Sequence, residues 1–289
     1  MGSRQSRAVI SHPESPIQNS KPKIQKPPMY YLDLTLTEAA ENLALDEALL
    51  DEAESSGRPR ETLRLWEPAR PLVVVGRSSR ICSEVHVDLC TEQGVPVLRR
   101  SSGGAAIVAG PGCLMYAVVL SYRLRPELRA VDRAHRCVLD TIAAALRPLA
   151  AEVACRGISD LVVGNLKFSG NSVRCKQNHL LYHGTLLYNF PLELIERYLA
   201  MPERQPDYRK GRGHRTFVAN LPLPVHSLRA ALVSAWNARE PYGVWPRDRM
   251  LQLVAERYGQ RAWNEGNERA VDSRQSAVPN GETERGRMA

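Results

Sequence analysis

A glycine turn between two apolar runs most restricts how this chain can fold. Residues 161–163 are apolar, Gly164 and Asn165 follow, and a further apolar run at residues 180–182 lies within the strand candidate 179–188. This pattern predicts a β-hairpin with a long returning strand. Elsewhere the predicted strands form meander-like runs with helices interspersed. We therefore expect an α+β fold with a mixed, largely antiparallel sheet flanked by helices, and not a Rossmann fold.

Hydrophobic periodicity predicts the remaining elements. Residues 37–54 carry apolar side chains at helical spacing, and Thr37 is predicted to cap that helix. Further helices are predicted over residues 82–93, 131–149, 192–200, 228–236 and 247–258. Strands are predicted over residues 30–34, 62–66, 72–75, 95–99 and 114–122.

The two ends of the chain differ in composition from its middle. Residues 1–28 are rich in Ser, Pro, Lys and Gln and lack periodicity, and residues 264–289 are also polar and aperiodic. Such segments bury too little apolar surface to offset the entropy of ordering them. We expect a disordered basic tail over 1–28, one folded domain over 29–263 and a disordered polar tail over 264–289.

Charge and composition exclude several classes of function. The formal net charge is +8, and residues 1–28 supply half of it, because five Lys and Arg there face one Glu. No basic run is interleaved with aromatic residues, so nucleic-acid binding is not predicted. The excess positive charge instead suits binding to an acidic protein partner. No apolar stretch approaches a membrane span, and no secretory signal is expected. The six cysteines lack C-x-x-C or zinc-like spacing, which predicts reduced thiols in a cytoplasmic protein.

Two segments distant in the sequence carry side chains suited to an anionic ligand. Arg99 and Arg100 precede a small-residue loop with Gly103 and Gly104, which permit positive φ and close backbone approach. Lys167 comes just after the hairpin turn, where it can point into a cleft. Taken alone, the glycine loop is ordinarily a plain turn, and Lys167 is ordinarily a solvated surface lysine. Together they indicate a site that activates or carries an acyl group, without a Walker A or dinucleotide motif.

Polar residues at two strand ends are further candidates. Asp160 opens the first hairpin strand, where it can pair structurally or hold Mg²⁺ beside phosphates. His183, Gly184 and Thr185 end an apolar run in the returning strand. A lone histidine in a strand usually has only structural hydrogen bonds and no functional role. Here the adjacent Gly184 predicts close packing at the wall of a site.

Several stretches in compatible order resemble the lipoate–protein ligase A family of the biotin/lipoyl protein ligase catalytic-domain superfamily. They are residues 40–46, 66–67, 71–77, 94–104, 159–163, 167–171 and 183–187, and the resemblance covers about 38–263. It implies a class II synthetase-like catalytic fold. In that family the arginine–glycine loop wraps an acyl-adenylate, and a lysine matching Lys167 binds the activated carbonyl and phosphate.

The resemblance also implies a reaction and its participants. Lipoate, activated with ATP and Mg²⁺, would be attached to a lysine of lipoyl carrier domains in 2-oxoacid dehydrogenases or the glycine cleavage H protein. The acyl chain is expected in an apolar tunnel near the first helix and the sheet. Lys167 is the implied catalytic residue, and Asp160 the implied Mg²⁺ ligand. The implied substrate- and adenylate-binding residues are Arg77, Arg99, Arg100, Ser102, Gly103, Gly104, Ser169, Gly170, His183, Gly184 and Thr185.

The chain departs from the family pattern at three places. Ala105 replaces a third glycine, Ala109 replaces a histidine, and only a polar tail follows Trp263, where ligases carry an accessory domain. A ligase would then need a separate accessory domain, or this domain alone would activate lipoate slowly. The alternative is an ATP-independent octanoyltransferase that takes octanoate from acyl carrier protein.

A transferase of this kind needs a cysteine as acyl acceptor. Cys155, 12 residues before Lys167 in a predicted loop, is the first candidate, and Cys113 is the second. An incidental thiol is the ordinary interpretation of both. A non-catalytic binder of lipoate-like acids or lipoyl domains is a third hypothesis, which the intact Lys167 opposes. Residues 159–163 and 183–185 follow the ligase pattern more closely, so the ligase is preferred.

Overall fold

A computed structural model describes residues 28–266 of the chain; the disorder predicted for the tails falls almost wholly outside these residues. The strands are β1 Met29–Asp33, β2 Thr62–Trp66, β3 Leu72–Val75, β4 Val97–Arg99, β5 Ile107–Ala109, β6 Cys113–Ser121, β7 Val153–Arg156, β8 Asp160–Val163, β9 Leu166–Cys175, β10 His179–Leu187 and β11 Ala238–Pro241. The α-helices are α1 Ala39–Ser55, α2 Ile81–Glu84, α3 Val87–Glu92, α4 Val131–Leu146, α5 Glu193–Tyr198, α6 His214–Phe217, α7 Val225–Trp236, α8 Arg247–Leu253 and α9 Arg261–Glu265.

Two sheets organise the described residues. The larger has eight strands in the order β11-β1-β2-β6-β10-β9-β8-β7, and the smaller has the order β4-β3-β5. Strand β1 pairs in parallel with both of its neighbours, whereas the other pairs of the larger sheet are antiparallel. The expected mixed, largely antiparallel α+β architecture is confirmed.

Strand β6 separates two hydrophobic cores. Leu114, Tyr116 and Val118 face a core that contains α4 and α7, whereas Met115 and Ala117 face a core that contains α1 and the smaller sheet. Successive side chains of a strand point to opposite faces of its sheet. A strand buried along its whole length therefore contributes to a core on each side, which explains its continuous apolar run.

A buried cation lies beneath α1. The Arg64 side chain is fully buried and donates hydrogen bonds to the Asp46 carboxylate (2.5 Å) and to the side-chain oxygen of Asn42 (2.7 Å). It also donates to the carbonyl oxygen of Leu34 (3.0 Å). These contacts join β2, α1 and the segment after β1, so one guanidinium fixes the position of the first helix on the sheet.

Three local predictions differ from the structure. Helix α1 begins after Glu38 in extended conformation, without the predicted Thr37 cap. The helix predicted over 82–93 is divided into α2 and α3, because Val85 pairs with Leu199 in a β-bridge. Strands β5, β7 and β11 were not predicted. Each is only three or four residues long and depends on pairing with its neighbours.

The C-terminal helix extends past the predicted domain boundary at residue 263. Asn264 in α9 accepts a hydrogen bond from the Arg99 backbone N–H (3.0 Å) and donates one to the Tyr258 carbonyl (3.0 Å). The folded unit therefore includes residues 264–266. None of the helices within the described residues combines the length and apolarity needed to cross a membrane.

Removal of the buried guanidinium should be costly. We expect Arg64→Ala to lower the free energy of unfolding by about 3–5 kcal/mol, because it leaves the Asp46 carboxylate buried without its partner. Urea denaturation measures the change. Arg229→Ala is the matched control, because Arg229 pairs with Asp33 at a partly exposed site and its loss should cost about 1 kcal/mol or less. Equal costs for the two variants would contradict this account.

Candidate active site

The hairpin predicted at the Gly164 turn is formed by β8 and β9, so its returning strand is β9 and not residues 179–188, which contain β10 and pair with β9 and β6. Lys167 lies near the start of β9. Strands β8 and β9 are joined by a tight turn in which Gly164 has a φ of +58°. The Lys167 ammonium lies 2.7 Å from Oδ1 of Asp160, at the other end of the hairpin. The lysine side chain keeps 28 % of its surface exposed, whereas the Asp160 side chain is largely buried. The hairpin thus presents a paired cation at the surface of a cavity.

Both carboxylate oxygens of Asp160 have protein partners. Oδ1 contacts the Lys167 ammonium, and Oδ2 accepts a hydrogen bond of 2.7 Å from the Tyr208 hydroxyl. Burial and the Asp160 charge raise the pKa of Tyr208 far above its ordinary value, so this phenol remains a donor. No group of three His, Cys, Asp or Glu side chains within residues 28–266 is placed to hold a metal. The geometry does not fit the expectation of Asp160 as a free Mg²⁺ ligand.

The glycine loop lines the same cavity through Gly104, Ala105 and Ala106. A Cβ atom on Gly76 would lie 1.9 Å from the Gly104 carbonyl oxygen, so the loop rests directly on that glycine. Gly104 has a φ of +91°, which a residue with a Cβ rarely adopts. The hydroxyls of Ser79 and Ser172 donate to the carbonyls of Gly104 (3.1 Å) and Gly103 (2.8 Å). The loop is therefore anchored from two other elements.

Arg100 shapes the loop from within. Its guanidinium donates to the carbonyl oxygens of Gly103 (2.6 Å), Ala105 (3.0 Å) and Val74 (3.1 Å). Burial lowers the pKa of Arg100 to about 10, which leaves the group charged at neutral pH. Because Arg100 also lines the cavity, it contributes positive charge beside the loop that it holds.

Arg99 and Arg77 have structural contacts. The Arg99 guanidinium donates to the carbonyls of Gly76 (2.8 Å), Ser79 (2.8 Å) and Trp263 (3.1 Å), and it does not line the cavity. Arg99 therefore clamps the C-terminal helix to the turn after β3, and the structure does not place it as a ligand-binding group. The Arg77 side chain is exposed, and its backbone N–H donates to the Ser102 carbonyl (2.8 Å).

His183 connects the loop to the first helix. Its Nε2 lies 2.5 Å from the Ser102 hydroxyl oxygen, and its Nδ1 lies 3.8 Å from Oδ2 of Asp46, the partner of Arg64. His183 lines the cavity, whereas Ser102 is buried behind it. The arrangement joins the loop, β10, α1 and β2 through polar contacts.

The expected close packing around Gly184 is confirmed. A Cβ atom there would lie 1.9 Å from Oδ1 of Asn171. Asn171 donates to the Ser159 carbonyl (2.8 Å) and accepts from the Tyr116 hydroxyl (2.5 Å) and the Ser169 hydroxyl (3.3 Å). The glycine thus makes room for an amide that fixes the loop before Asp160. Beside it, Thr185 accepts a hydrogen bond from the Gly170 N–H (3.3 Å).

Two adjoining cavities meet at Lys167. The larger has a volume of about 1050 Å³, and its lining includes Lys167, Arg100, His183 and Gly104. The smaller has a volume of about 150 Å³, and its walls are mainly apolar, with contributions from Ile107, Phe168, Leu187, Ile195, Phe217 and Val218. Lys167 and Gly170 line both. The predicted lysine and glycine loop are therefore brought together at one site.

Neither candidate cysteine lies at this site. Cys155 is in β7 rather than a loop, and its thiol points to Asp140 of α4 (3.4 Å), on the opposite face of the sheet from Lys167. Burial and the Asp140 charge raise its pKa to about 11. Cys113 is fully buried beside Met115, and burial raises its pKa far above the ordinary value. Neither residue lines either cavity, and neither thiol is activated.

Two residues of the site were not identified from the sequence. Glu84 lines both cavities, and its carboxylate accepts a hydrogen bond of 2.6 Å from the Ala106 N–H at the end of the loop. Tyr208 donates to Asp160. Glu84 lay inside a predicted helix and Tyr208 in a segment without periodicity, so the local sequence carried no indication of either role.

Fold and site together define an acyl-protein ligase-like domain: a mixed sheet with a glycine loop and a lysine–carboxylate pair at one cavity. Residues 38–234 match the family model described as the lipoyl protein ligase A/B catalytic domain. A protein of Aeropyrum pernix, provisionally named lipoate-protein ligase A, is 32% identical over 197 residues, which cover 68% of this chain and 70% of that protein. The chain therefore belongs to the lipoyl protein ligase A/B catalytic-domain family.

Solved structures support the same fold. A bi-partite lipoate protein ligase from Thermoplasma acidophilum, described with its E2 lipoyl domain, aligns with a TM-score of 0.69 at 20% identity and covers 83% of this chain and 96% of that chain. A lipoate-protein ligase A bound with ATP aligns with a TM-score of 0.65 at 21% identity, covering 83% and 98%. The expected biotin/lipoyl protein ligase-like fold is confirmed.

A single methyl group at Gly184 should disturb the wall of the site. We expect Gly184→Ala to lower the free energy of unfolding by about 1–3 kcal/mol, because its Cβ would overlap Asn171. Gly103→Ala is the matched control, since a Cβ there meets no atom within 4 Å. Urea denaturation compares the two variants. A Gly184→Ala variant as stable as Gly103→Ala would show that Asn171 shifts without cost.

Proposed function

We propose that this chain attaches lipoate to a lysine of a lipoyl carrier domain through a lipoyl-adenylate formed from ATP. The position of Lys167 carries this proposal, since Lys167 lines both cavities and the larger one is also lined by Gly104 and Arg100 of the glycine loop. Membership of the lipoyl protein ligase A/B family supports the same reaction.

The proposed reaction has two steps. A carboxylate oxygen of lipoate bonds to the α-phosphorus of ATP, and pyrophosphate leaves. The amine of the carrier lysine then bonds to the acyl carbon, the acyl–phosphate bond breaks, AMP leaves and the amine loses a proton. Both steps develop negative charge on oxygen atoms, which a preorganised cation stabilises.

We propose Lys167 as the cation for this task. The Asp160 carboxylate pairs with the Lys167 ammonium. An anionic acyl-adenylate would share that ammonium with Asp160 or replace Asp160 as its partner. Arg100 adds a second positive charge on the loop side of the cavity. The backbone of Gly103 and Gly104 can approach a phosphate closely, because neither residue carries a Cβ.

The larger cavity has space for both parts of such an intermediate. Its volume of about 1050 Å³ is just above the range of roughly 300–1,000 Å³ that is typical of ligand sites. Leu43 of α1, Val74, Ile107 and Met115 give it an apolar wall near the first helix and the sheet. We propose that the lipoyl chain lies along this wall, where the acyl tunnel is expected.

Magnesium would enter with ATP in this proposal. Both oxygens of Asp160 are engaged by Lys167 and Tyr208, so that carboxylate is not an open ligand. Mg²⁺ is commonly held by substrate phosphates together with water, which requires few protein ligands.

A lipoyl carrier domain of a 2-oxoacid dehydrogenase or of the glycine cleavage system is the proposed partner. The Thermoplasma ligase is described as bi-partite and is paired with an E2 lipoyl domain. By analogy, we propose that a separate accessory domain assists the present chain. All six cysteines are free thiols, which supports the proposed cytoplasmic location.

The proposed function is tested with an apo lipoyl domain and two acyl donors. With lipoate and Mg-ATP, we expect AMP, pyrophosphate and a lipoyl mass shift on the domain, and Cys155→Ser should retain this activity, because that thiol lies outside the cavities. The assay is run with and without added accessory domain. Transfer from octanoyl carrier protein without ATP, with a hydroxylamine-sensitive adduct on Cys155, would establish the octanoyltransferase instead. Binding of lipoate without either transfer would establish the non-catalytic binder.

Loss of Lys167 should remove the reaction but not the fold. We expect Lys167→Ala to lower the rate of lipoyl transfer by about 10²–10³-fold, since it removes the cation beside the reacting carbonyl. Lys167→Arg should also fail, because a planar guanidinium does not replace a compact ammonium. Mass spectrometry of the lipoyl domain measures transfer, and Lys176→Ala is the control, because Lys176 pairs with Asp51 away from the cavities. Near wild-type transfer by Lys167→Ala would exclude this site.

A further inference from the structure

Residues 201–219, here called the strap, form one wall of both cavities. Three strap residues line both cavities: Pro202, Arg204 and Pro206. The smaller cavity is also lined by Phe217 and Val218. The strap follows α5 and includes α6. A ligand in either cavity would therefore touch the strap.

The far end of the strap is bound to Lys167 through the backbone. The Ala219 N–H donates to the Lys167 carbonyl (2.9 Å), and Val218 forms a parallel β-bridge with the same lysine. Arg212 donates to the carbonyl of Asn165 (3.1 Å), which lies in the hairpin turn before β9. The strap and the hairpin that carries Lys167 are thus joined at two places without help from Tyr208.

Tyr208 is a third connection, and the strap itself sets its direction. Its ring packs against Phe217 with centroids 5.2 Å apart. The guanidinium groups of Arg209 and Arg212 lie 4.6 and 5.2 Å from the Phe217 centroid. Arg212 also donates to the Tyr208 carbonyl (3.0 Å). With its ring and backbone fixed in this way, the Tyr208 hydroxyl is aimed at Asp160.

We propose that Tyr208 is a positioning residue for the reaction, one that sets the direction of the Lys167 ammonium through Asp160. The inference rests on the proposed function, because it assigns a role beyond folding to a contact of the same site. Tyr208 does not need to touch the reacting atoms. It links the position of the strap, which a bound ligand would contact, to the position of the catalytic cation.

The geometry of the carboxylate explains the effect. Each Asp160 oxygen has one donor, the ammonium on Oδ1 and the phenol on Oδ2, at 2.7 Å each. Two donors on opposite oxygens fix the rotation of a carboxylate, whereas one donor leaves it free to turn. An ammonium held by a turning carboxylate loses its preorganised position, and electrostatic stabilisation depends on that position.

Tyr208→Phe tests the inference, because it keeps the ring against Phe217 and removes only the hydroxyl. In the lipoate and Mg-ATP assay, we expect kcat to fall about tenfold with little change in KM, the pattern of an interaction that matters mainly in the transition state. In an Asp160→Ala background the same substitution should have almost no further effect, because the acceptor of the Tyr208 hydroxyl is gone. Unchanged kcat, or full additivity of the two substitutions, would overturn the inference.

Tyr188→Phe is the matched control. Its hydroxyl also donates to a carboxylate, that of Glu67 (2.8 Å), and neither residue lines the cavities. Tyr188→Phe should leave kcat unchanged. That result would show that the fall in kcat for Tyr208→Phe is specific to its position and does not follow from losing any part-buried tyrosine–carboxylate hydrogen bond. An equal fall in kcat for Tyr188→Phe and Tyr208→Phe would overturn the inference.

A second measurement needs no substrate. Hydrogen–deuterium exchange of strap peptides should accelerate in Tyr208→Phe but not in Tyr188→Phe, because only the former loses a tether between the strap and Asp160. If the wild-type protein transfers neither lipoate nor octanoate, the proposed function fails and the role of Tyr208 in that reaction fails with it, whereas exchange tests the tether between the strap and Asp160 independently. Unchanged exchange of the strap in Tyr208→Phe would overturn it.

Discussion

The buried guanidinium of Arg64 is the interaction on which the rest of the site depends. A charge without access to water must be paired, and here its main partner is Asp46 of α1. The other oxygen of Asp46 faces His183, and His183 contacts Ser102 at the base of the glycine loop. The requirement to satisfy one cation thus aligns α1, β10 and the loop, and the position of the cavity wall follows from this alignment.

The alternation of side chains along the larger sheet decides which chemistry is available. Asp160 and Lys167 line the larger cavity, whereas Leu161, the next residue after Asp160, belongs to the core around α4. Cys155 faces that same core and Asp140. A thiol only 12 residues from the lysine in sequence (167 − 155 = 12) is therefore separated from it by the thickness of the sheet.

Two adjacent arginines show how closely position determines role. Arg100 extends into the loop and holds the carbonyls of Gly103 and Ala105, so it lines the cavity. Arg99 extends toward the carbonyls after β3 and those of α9, so it joins distant parts of the chain. The two residues are of the same type and adjacent in sequence. Only the direction of each side chain separates the arginine that lines the cavity from the one that does not.

The sequence by itself determined the elements whose causes are local. The hairpin around Gly164, the helix α1 and the apolar strand β6 follow from turn chemistry and hydrophobic period, and the ordered motifs around Gly103, Gly104 and Lys167 identified the family. Tertiary structure alone decided the short strands β5, β7 and β11, the division between α2 and α3, and the roles of Arg99, Cys155, Glu84 and Tyr208. Those features depend on which residues distant in sequence become neighbours and on the face each side chain occupies. Local propensity and spacing carry no information about such contacts.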